Sequence, residues 1–200
     1  MILTLLGAAA LAVAGRATLV TLNTSSLTAG GTYYVDFQLN NGSGGAGNSA
    51  AISGFTFGGG GVFTPTDIGL IGGAAGDLSS TVWLNDSSPF NEFFQAFTAG
   101  SSLSFDLRLS NNVDAPIPDI FGFAILDENL FNLATLSPIA DQFLIVELNG
   151  SSLDFQAYAG VDGVTSPGVP ESAVTAGLVA VAMAGLVGIR HRMIRTSIAA

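Results

Sequence analysis

Carboxylates are the side chains of this chain with the widest choice of chemistry. Two groups stand in the second half of the sequence: Asp119 with Asp127 and Glu128, and Asp141 with Glu147. Two carboxyl groups held a short distance apart can hydrolyse a glycosidic bond, one as the acid and the other as base or nucleophile. An acidic domain also carries carboxylates on its turns for solubility alone. A glycoside hydrolase is therefore a remote alternative, and we predict that the chain is not an enzyme.

Aspartate and asparagine also gather in the loops, and their oxygens are ligands that Ca²⁺ prefers. No EF-hand spacing joins these residues, so the sequence predicts no cofactor and keeps calcium as an alternative ligand. The loop residues concerned are Asp86, Asn111, Asn112, Asp114 and Asp119.

Two aromatic residues suggest a different kind of site. Trp83 or Tyr34 could form a platform on which a sugar ring stacks, although both residue types more often belong to a core or a sheet. A polysaccharide- or calcium-binding β-sandwich module is therefore the alternative to a purely structural role.

Several other chemistries are excluded by composition. The single histidine is His191, near the C-terminus, and there is no cysteine, so neither a Ser-His-Asp triad nor a disulfide can be built in the body. Residues 42–47 match the dinucleotide-binding glycine pattern literally. No helix is predicted to follow them and no βαβ unit surrounds them, so we interpret the match as a flexible loop.

Charge is divided unevenly along the chain. Of the five basic residues, all arginines, four stand near the two ends. Residues 18–171 hold all 15 carboxylates and only Arg108, which gives 1 − 15 = −14 by count. Binding of nucleic acid or of anionic lipid head groups is disfavoured, because both need a basic surface.

The body alternates apolar and polar residues with the period of a β-strand. In Leu103–Ser110 the residues Leu103, Phe105, Leu107 and Leu109 should face a core. Phe143–Val146 is continuously apolar, which predicts a strand buried on both faces, and Asn149-Gly150 is a strong hairpin signal. The other predicted strands begin at Thr18, Tyr33, Ile52, Thr81, Phe121 and Leu153.

Seven to nine such strands predict an all-β domain over residues 18–160, an antiparallel β-sandwich or jelly roll. Helix is limited to single turns at 89–99 and 129–136. Residues 161–168, which contain Asp162-Gly163 and Ser166-Pro167-Gly168, are predicted to form a flexible linker.

Both ends read as targeting segments. Ile2–Ala14 has the length and apolarity of a signal-peptide core, with cleavage expected after Ala17, so that residues 1–17 are the signal peptide. Ser172–Ile189 carries no charge and would make a helix about 27 Å long, enough to cross a bilayer core. We place the transmembrane helix at 173–189. The stop at 190–195 contains Arg190, Arg192 and Arg195, which should remain in the cytoplasm.

The motif before this helix points to a family. Val169, Pro170, Glu171 and Ser172, followed by the apolar helix and the arginines, resemble the PEP-CTERM sorting signal of proteins exported by Gram-negative bacteria. Ser172 stands where the usual Val-Pro-Glu-Pro motif has its second proline. The body also resembles small PEP-CTERM exoproteins in residues 33–41, 52–60, 100–109 and 121–127, which implies a sandwich and no known activity.

The resemblance implies a partner and a destination. A signal over 169–195 would be recognised by an exosortase, a membrane-embedded transpeptidase, while the chain is held transiently in the inner membrane. The protein is then expected at the cell surface or in the extracellular matrix of a biofilm, as a structural or interaction protein. Extracellular polysaccharide is a further expected partner.

Overall fold

The computed structural model describes residues 17–45, 47–113 and 115–169. Throughout these ranges the regular elements are β-strands in two antiparallel sheets, so the predicted all-β class is confirmed. The strands are β1 (Thr18–Asn23), β2 (Thr32–Asn40), β3 (Ser49–Gly58), β4 (Val62–Ile71), β5 (Gly73–Ala75), β6 (Thr81–Asn85), β7 (Phe90–Thr98), β8 (Ser102–Leu109), β9 (Asp119–Leu126), β10 (Leu144–Leu148) and β11 (Phe155–Ala157).

The described residues contain no helix long and apolar enough to cross a membrane. The predicted signal peptide, except its last residue, lies outside the described ranges, and so do the helix at 173–189 and the stop at 190–195.

The two sheets enclose one apolar core. Sheet A has the strand order β1-β8-β3-β6-β5, and sheet B has the order β11-β10-β9-β2-β7-β4. Phe37 of sheet B packs edge-on against Phe105 of sheet A at 5.2 Å between ring centroids, and stacks on its neighbour Phe123 at 5.3 Å. Since residues of both sheets join this cluster, the arrangement is sandwich-like.

The period-2 patterns identified in the sequence set the inner faces. On β8 the four residues predicted to face the core, from Leu103 to Leu109, are all buried. The continuous run Phe143–Val146 is buried on both faces, as its composition predicted, and β10 lies between β9 and β11.

Three strands were missed in the sequence: β4, β5 and β7. Residues 89–99, predicted as a single helical turn, form β7 in the interior of sheet B, between β2 and β4. The inward positions of β7 include Asn91 and Gln95, whose amides break the apolar alternation. Both are 0% exposed, and both satisfy backbone groups, Asn91 Nδ2 donating to Leu39 O and Gln95 Oε1 accepting from Leu78 N.

The second predicted helical turn, at 129–136, is also wrong. This segment is a turn capped by Asp127, whose Oδ1 accepts from Asn129 N at 2.8 Å and Phe131 N at 2.9 Å. The carboxylate satisfies backbone donors locally, which favours a turn over a helix.

The segment 161–168 differs from the predicted flexible linker. Thr21 and Gly168 exchange two backbone hydrogen bonds of 3.1 and 2.7 Å, and Thr165 N donates to Asn23 O at 3.2 Å. Val164 is 1% exposed within the core cluster. This segment therefore covers the free edge of β1, and the domain continues to Val169 rather than to residue 160.

Candidate functional site

The outer face of sheet B carries an acidic pair, of which one carboxyl is buried and the other half-buried. On β2 the alternation that points Val35 and Phe37 into the core points Asp36 and Gln38 to the other side of the sheet. Gln38 lies opposite Glu92 of β7 in the antiparallel register. The topology thus brings Asp36 and Glu92, far apart in sequence, to one patch, here called the acidic pair.

An amide holds the two carboxyl groups of the acidic pair. Gln38 Nε2 donates to Asp36 Oδ2 at 2.7 Å and to Glu92 Oε1 at 3.3 Å. Gln142 Nε2 donates to Gln38 Oε1 at 3.2 Å from above the sheet. A Cβ at Gly122, the residue opposite Gln38 on β9, would lie 2.3 Å from that same Nε2. Because residue 122 has no side chain, the amide of Gln142 can lie directly on the sheet and reach Gln38.

The electrostatics of the pair favour one shared proton. Burial, and then the charge of Glu92, raise the pKa of Asp36 to about 8. Burial also raises the pKa of Glu92. Asp36 is 1% exposed, and its Oδ1 accepts no hydrogen bond within the described residues. A protonated Asp36 beside an ionised Glu92 accommodates both facts at neutral pH.

Such a pair has the charge states of an acid–base couple, but its protonated member, Asp36, is not accessible to a substrate. A general acid must reach the atom that it protonates, within about 3 Å. Asp36 is 1% exposed and only Glu92 is partly exposed, so the geometry favours a structural pair over a catalytic one.

Tyr34 lies on the same face and is also occupied. Its hydroxyl donates to Asp67 Oδ2 at 2.7 Å, joining β2 to β4. That hydrogen bond, then burial and the charge of Asp67, raise the pKa of Tyr34. The ring is 8% exposed and packs edge-on against Phe94, so it does not offer a free face to a sugar.

The outer face of sheet A is arranged in the opposite way. Trp83 projects from β6 and is 53% exposed. It lies between Ala51 of β3 and Ala75 of β5, and Arg108 of β8 lies opposite Ala51. We call these four residues the Trp83 row. Trp83 therefore stands over methyl groups and keeps its ring open to solvent.

The first predicted carboxylate group is not a close pair. Asp119 begins β9 and Asp127 follows its end, which separates them by about 26 Å of extended strand. Glu128 accompanies Asp127 beside a shallow cleft of about 340 Å³ that Thr28 and Tyr33 also line. The Asp127 end of β9 therefore faces this cleft.

The second predicted group is spread in the same way. Asp141 accepts from Thr135 N at 3.1 Å, while Glu147 is exposed on β10. Neither group has the near approach that Asp36 and Glu92 have.

The loop residues considered for calcium meet around an amide. Asn48, 0% exposed, donates from its backbone N to Asp86 Oδ2 at 2.8 Å and from Nδ2 to Asp119 Oδ2 at 2.9 Å. Its Oδ1 accepts from Asn112 N at 2.7 Å. Among the described residues no group of three His, Cys, Asp or Glu could hold a metal ion. Asn111 bonds to the loop after β10 instead, and Asp114 lies outside the described residues.

Sequence reasoning missed the acidic pair because it misread β7, which carries Glu92. A signal was present: Asp36 occupies the centre of a strand whose inward positions are all apolar. A carboxylate surrounded by β-sheet neighbours has few ways to remain solvated.

Of the predicted sorting residues, only the first, Val169, lies within the described residues. Val169 is half-buried and packs against the core. The others, Pro170, Glu171, Ser172, Arg190, Arg192 and Arg195, lie outside the described residues.

Comparison with protein-family models, with curated proteins and with solved structures finds no match for this chain.

Proposed function

We propose that this chain is an exported β-sandwich protein of the cell surface or extracellular matrix, with a structural or interaction role. Its residues 169–195 act as a PEP-CTERM-like sorting signal: motif 169–172, transmembrane helix 173–189 and basic stop 190–195. An exosortase-type transpeptidase cuts near the motif while the helix holds the chain in the inner membrane. Residues 1–17 direct export.

The packing of the chain just before the motif is the observation that carries this proposal. Thr21 and Gly168 exchange two backbone hydrogen bonds, and Val169, the first residue of the motif, packs against the core. The motif therefore begins at a residue that still belongs to the packed domain. Because Gly168 is still paired with Thr21, a cut after this point would leave the described hydrogen bonds of the domain intact.

Mass spectrometry of the protein made in a host that contains an exosortase tests the proposal. The released form should end near Pro170-Glu171, and a host without exosortase should retain the intact chain in its membranes. Glu171→Gln, combined with Pro170→Ala, should reduce release, whereas Glu147→Gln on exposed β10 serves as the control. Intact chain ending at Ala200 in both hosts, with equal release, contradicts the proposal.

Polysaccharide binding by the same domain is a second candidate function. The exposed ring of Trp83 supports it, since aromatic side chains of this size are enriched where a protein meets a partner. The acidic pair does not support polysaccharide binding, because Asp36 is buried.

A further inference from the structure

The Trp83 row leaves a large aromatic side chain in solvent, which the stability of the fold does not explain. Its central ring is 53% exposed although a tryptophan gains stability in proportion to the apolar area it buries. Its two cross-strand neighbours are alanines, whose methyl groups cover little of the ring. Ala51, Trp83 and Ala75 thus form an apolar track one side chain wide, which runs across the strands and ends at Arg108.

Polar side chains border this track on both sides. The outward positions next to Trp83 along β6 are Thr81 and Asn85, and their register partners on β3 are Ser53 and Ser49. Asp106 continues the Thr81 side onto β8. Hydroxyl, amide and carboxylate groups can each donate to or accept from sugar hydroxyls. An aromatic ring bordered by such groups has the chemistry of a site for a linear polysaccharide.

Arg108 decides which polysaccharide fits. It is the one basic residue in the described ranges, and it is exposed at one end of the row. Within those ranges it forms no salt bridge, although the chain carries 15 carboxylates. An unpaired guanidinium complements a carboxylate, which it binds in a bidentate manner.

Spacing is compatible with one polymer contacting both residues. Trp83 and Arg108 lie two strands apart, about 10 Å between their Cα atoms. A sugar ring on Trp83 would therefore place a neighbouring unit over Ala51 and towards Arg108. A protein partner would instead need a broad apolar contact area around the tryptophan, whereas the residues next to Trp83 along its strand are Thr81 and Asn85.

From this arrangement we infer that the Trp83 row binds a linear acidic polysaccharide. One sugar ring stacks on Trp83, and the carboxylate of a uronic acid unit pairs with Arg108. The inference deepens the proposed interaction role and rests on it for its biological setting. Binding itself belongs to the folded domain and does not depend on processing of the tail.

The test uses the intrinsic fluorescence of Trp83, the only tryptophan in the sequence. The full-length chain, in a polyoxyethylene detergent that has no sugar headgroup, is titrated with galacturonic acid hexamers and guluronic acid hexamers. Cellohexaose is the neutral control. A saturable fluorescence change is expected with at least one acidic hexamer at about 0.15 M salt, where the repulsion between the hexamer and the acidic domain is largely screened.

Two variants and one control locate the site. Arg108→Gln should raise the Kd for the acidic hexamer by about tenfold or more, from loss of a charge-assisted pair. Trp83→Ala, followed by calorimetry, should abolish measurable binding while its circular dichroism stays unchanged. Phe131→Ala removes an aromatic that is 71% exposed outside the row and should bind like the unaltered protein.

Four results would overturn the inference. They are no saturable change with either acidic hexamer, equal affinity for cellohexaose, an unaltered Kd in Arg108→Gln, and self-association of the chain that Trp83→Ala abolishes. The last would make the row an interface between copies. Since none of these measurements involves exosortase, they can fail while the processing experiment succeeds, and the reverse also holds.

Discussion

The outer faces of the two sheets differ in how they treat polar residues. Sheet B keeps Asp36 at 1% exposure, whereas sheet A leaves the ring of Trp83 53% exposed. The same β alternation produces both faces. One difference is that Gln142, from the residues that precede β10, is hydrogen-bonded to Gln38 on the outer face of sheet B.

This contrast separates stability from recognition. A covered carboxyl must be neutral or paired, so its energy enters the folding equilibrium and varies with pH. An open aromatic beside an unpaired arginine contributes little to folding and is available to a ligand. We therefore expect substitutions on sheet B to change stability, and substitutions on sheet A to change binding.

Asp36→Asn should give the largest effect on stability. The pKa of Asp36 is raised from 3.8 to about 8 in the folded protein, so between these values the native state keeps a proton that the unfolded chain releases. Stability therefore falls as pH rises from about 4 to about 8, and outside this range the group contributes no slope. The neutral amide should be more stable than the carboxyl at pH 8, by an amount on the order of 5 kcal/mol, and similar to it at pH 4.

Urea unfolding at several pH values, with and without the substitution, measures this difference. Subtracting the two curves removes the groups common to both, including Asp127, whose lowered pKa acts in the opposite direction. Glu92→Gln should reduce the slope only in part, because burial is the first cause of the shift and Glu92 the second. Asp106→Asn on sheet A is the matched control. Parallel curves for Asp36→Asn and the unaltered chain would show that Asp36 is ionised in the folded state.

Tyr34→Phe should give a smaller loss. It removes the hydroxyl that donates to Asp67 Oδ2 at 2.7 Å and leaves the ring contact with Phe94 in place. The expected cost is about 1 kcal/mol, the net value of one hydrogen bond to a partner that water can still solvate. Thr56→Val on sheet A removes a 2.6 Å hydroxyl contact with Ser104, in which Thr56 is exposed and Ser104 half-buried. An equal loss of stability in Tyr34→Phe and Thr56→Val would show that polar contacts on the two outer faces contribute equally to folding.

The fold was predictable from the sequence in those strands whose buried positions are all occupied by apolar residues. On β8 and β10 the apolar residues alone define the buried positions, and the structure has those strands where the pattern predicts them. On β7 the inward side includes Asn91 and Gln95, which are buried only because carbonyls and amides of other strands meet them there. Those partners are distant in sequence, so no local pattern indicates that these amides face the core.

The site residues were predictable as types but not as neighbours. Trp83 was named from its chemistry, yet its exposure depends on Ala51 and Ala75, which only strand pairing places beside it. Of the carboxylates paired by proximity in sequence, Asp119 and Asp127 lie at opposite ends of β9, while Asp141 lies in a loop and Glu147 on β10. The pair that does meet, Asp36 and Glu92, is joined through the register of β2 and β7.

Arg108→Gln should give the smallest change in stability, within about 0.5 kcal/mol, because an exposed side chain without a described salt bridge contributes little to folding. The measurement belongs at 0.15 M salt, where charges more than about 8 Å apart are largely screened. At low salt the loss of this one positive charge from an acidic domain would add a general repulsion that has no bearing on the site. A loss of 2 kcal/mol or more at 0.15 M salt would mean that Arg108 is paired within the fold. Its place in a binding row would then lose its physical basis, and sheet A would resemble sheet B after all.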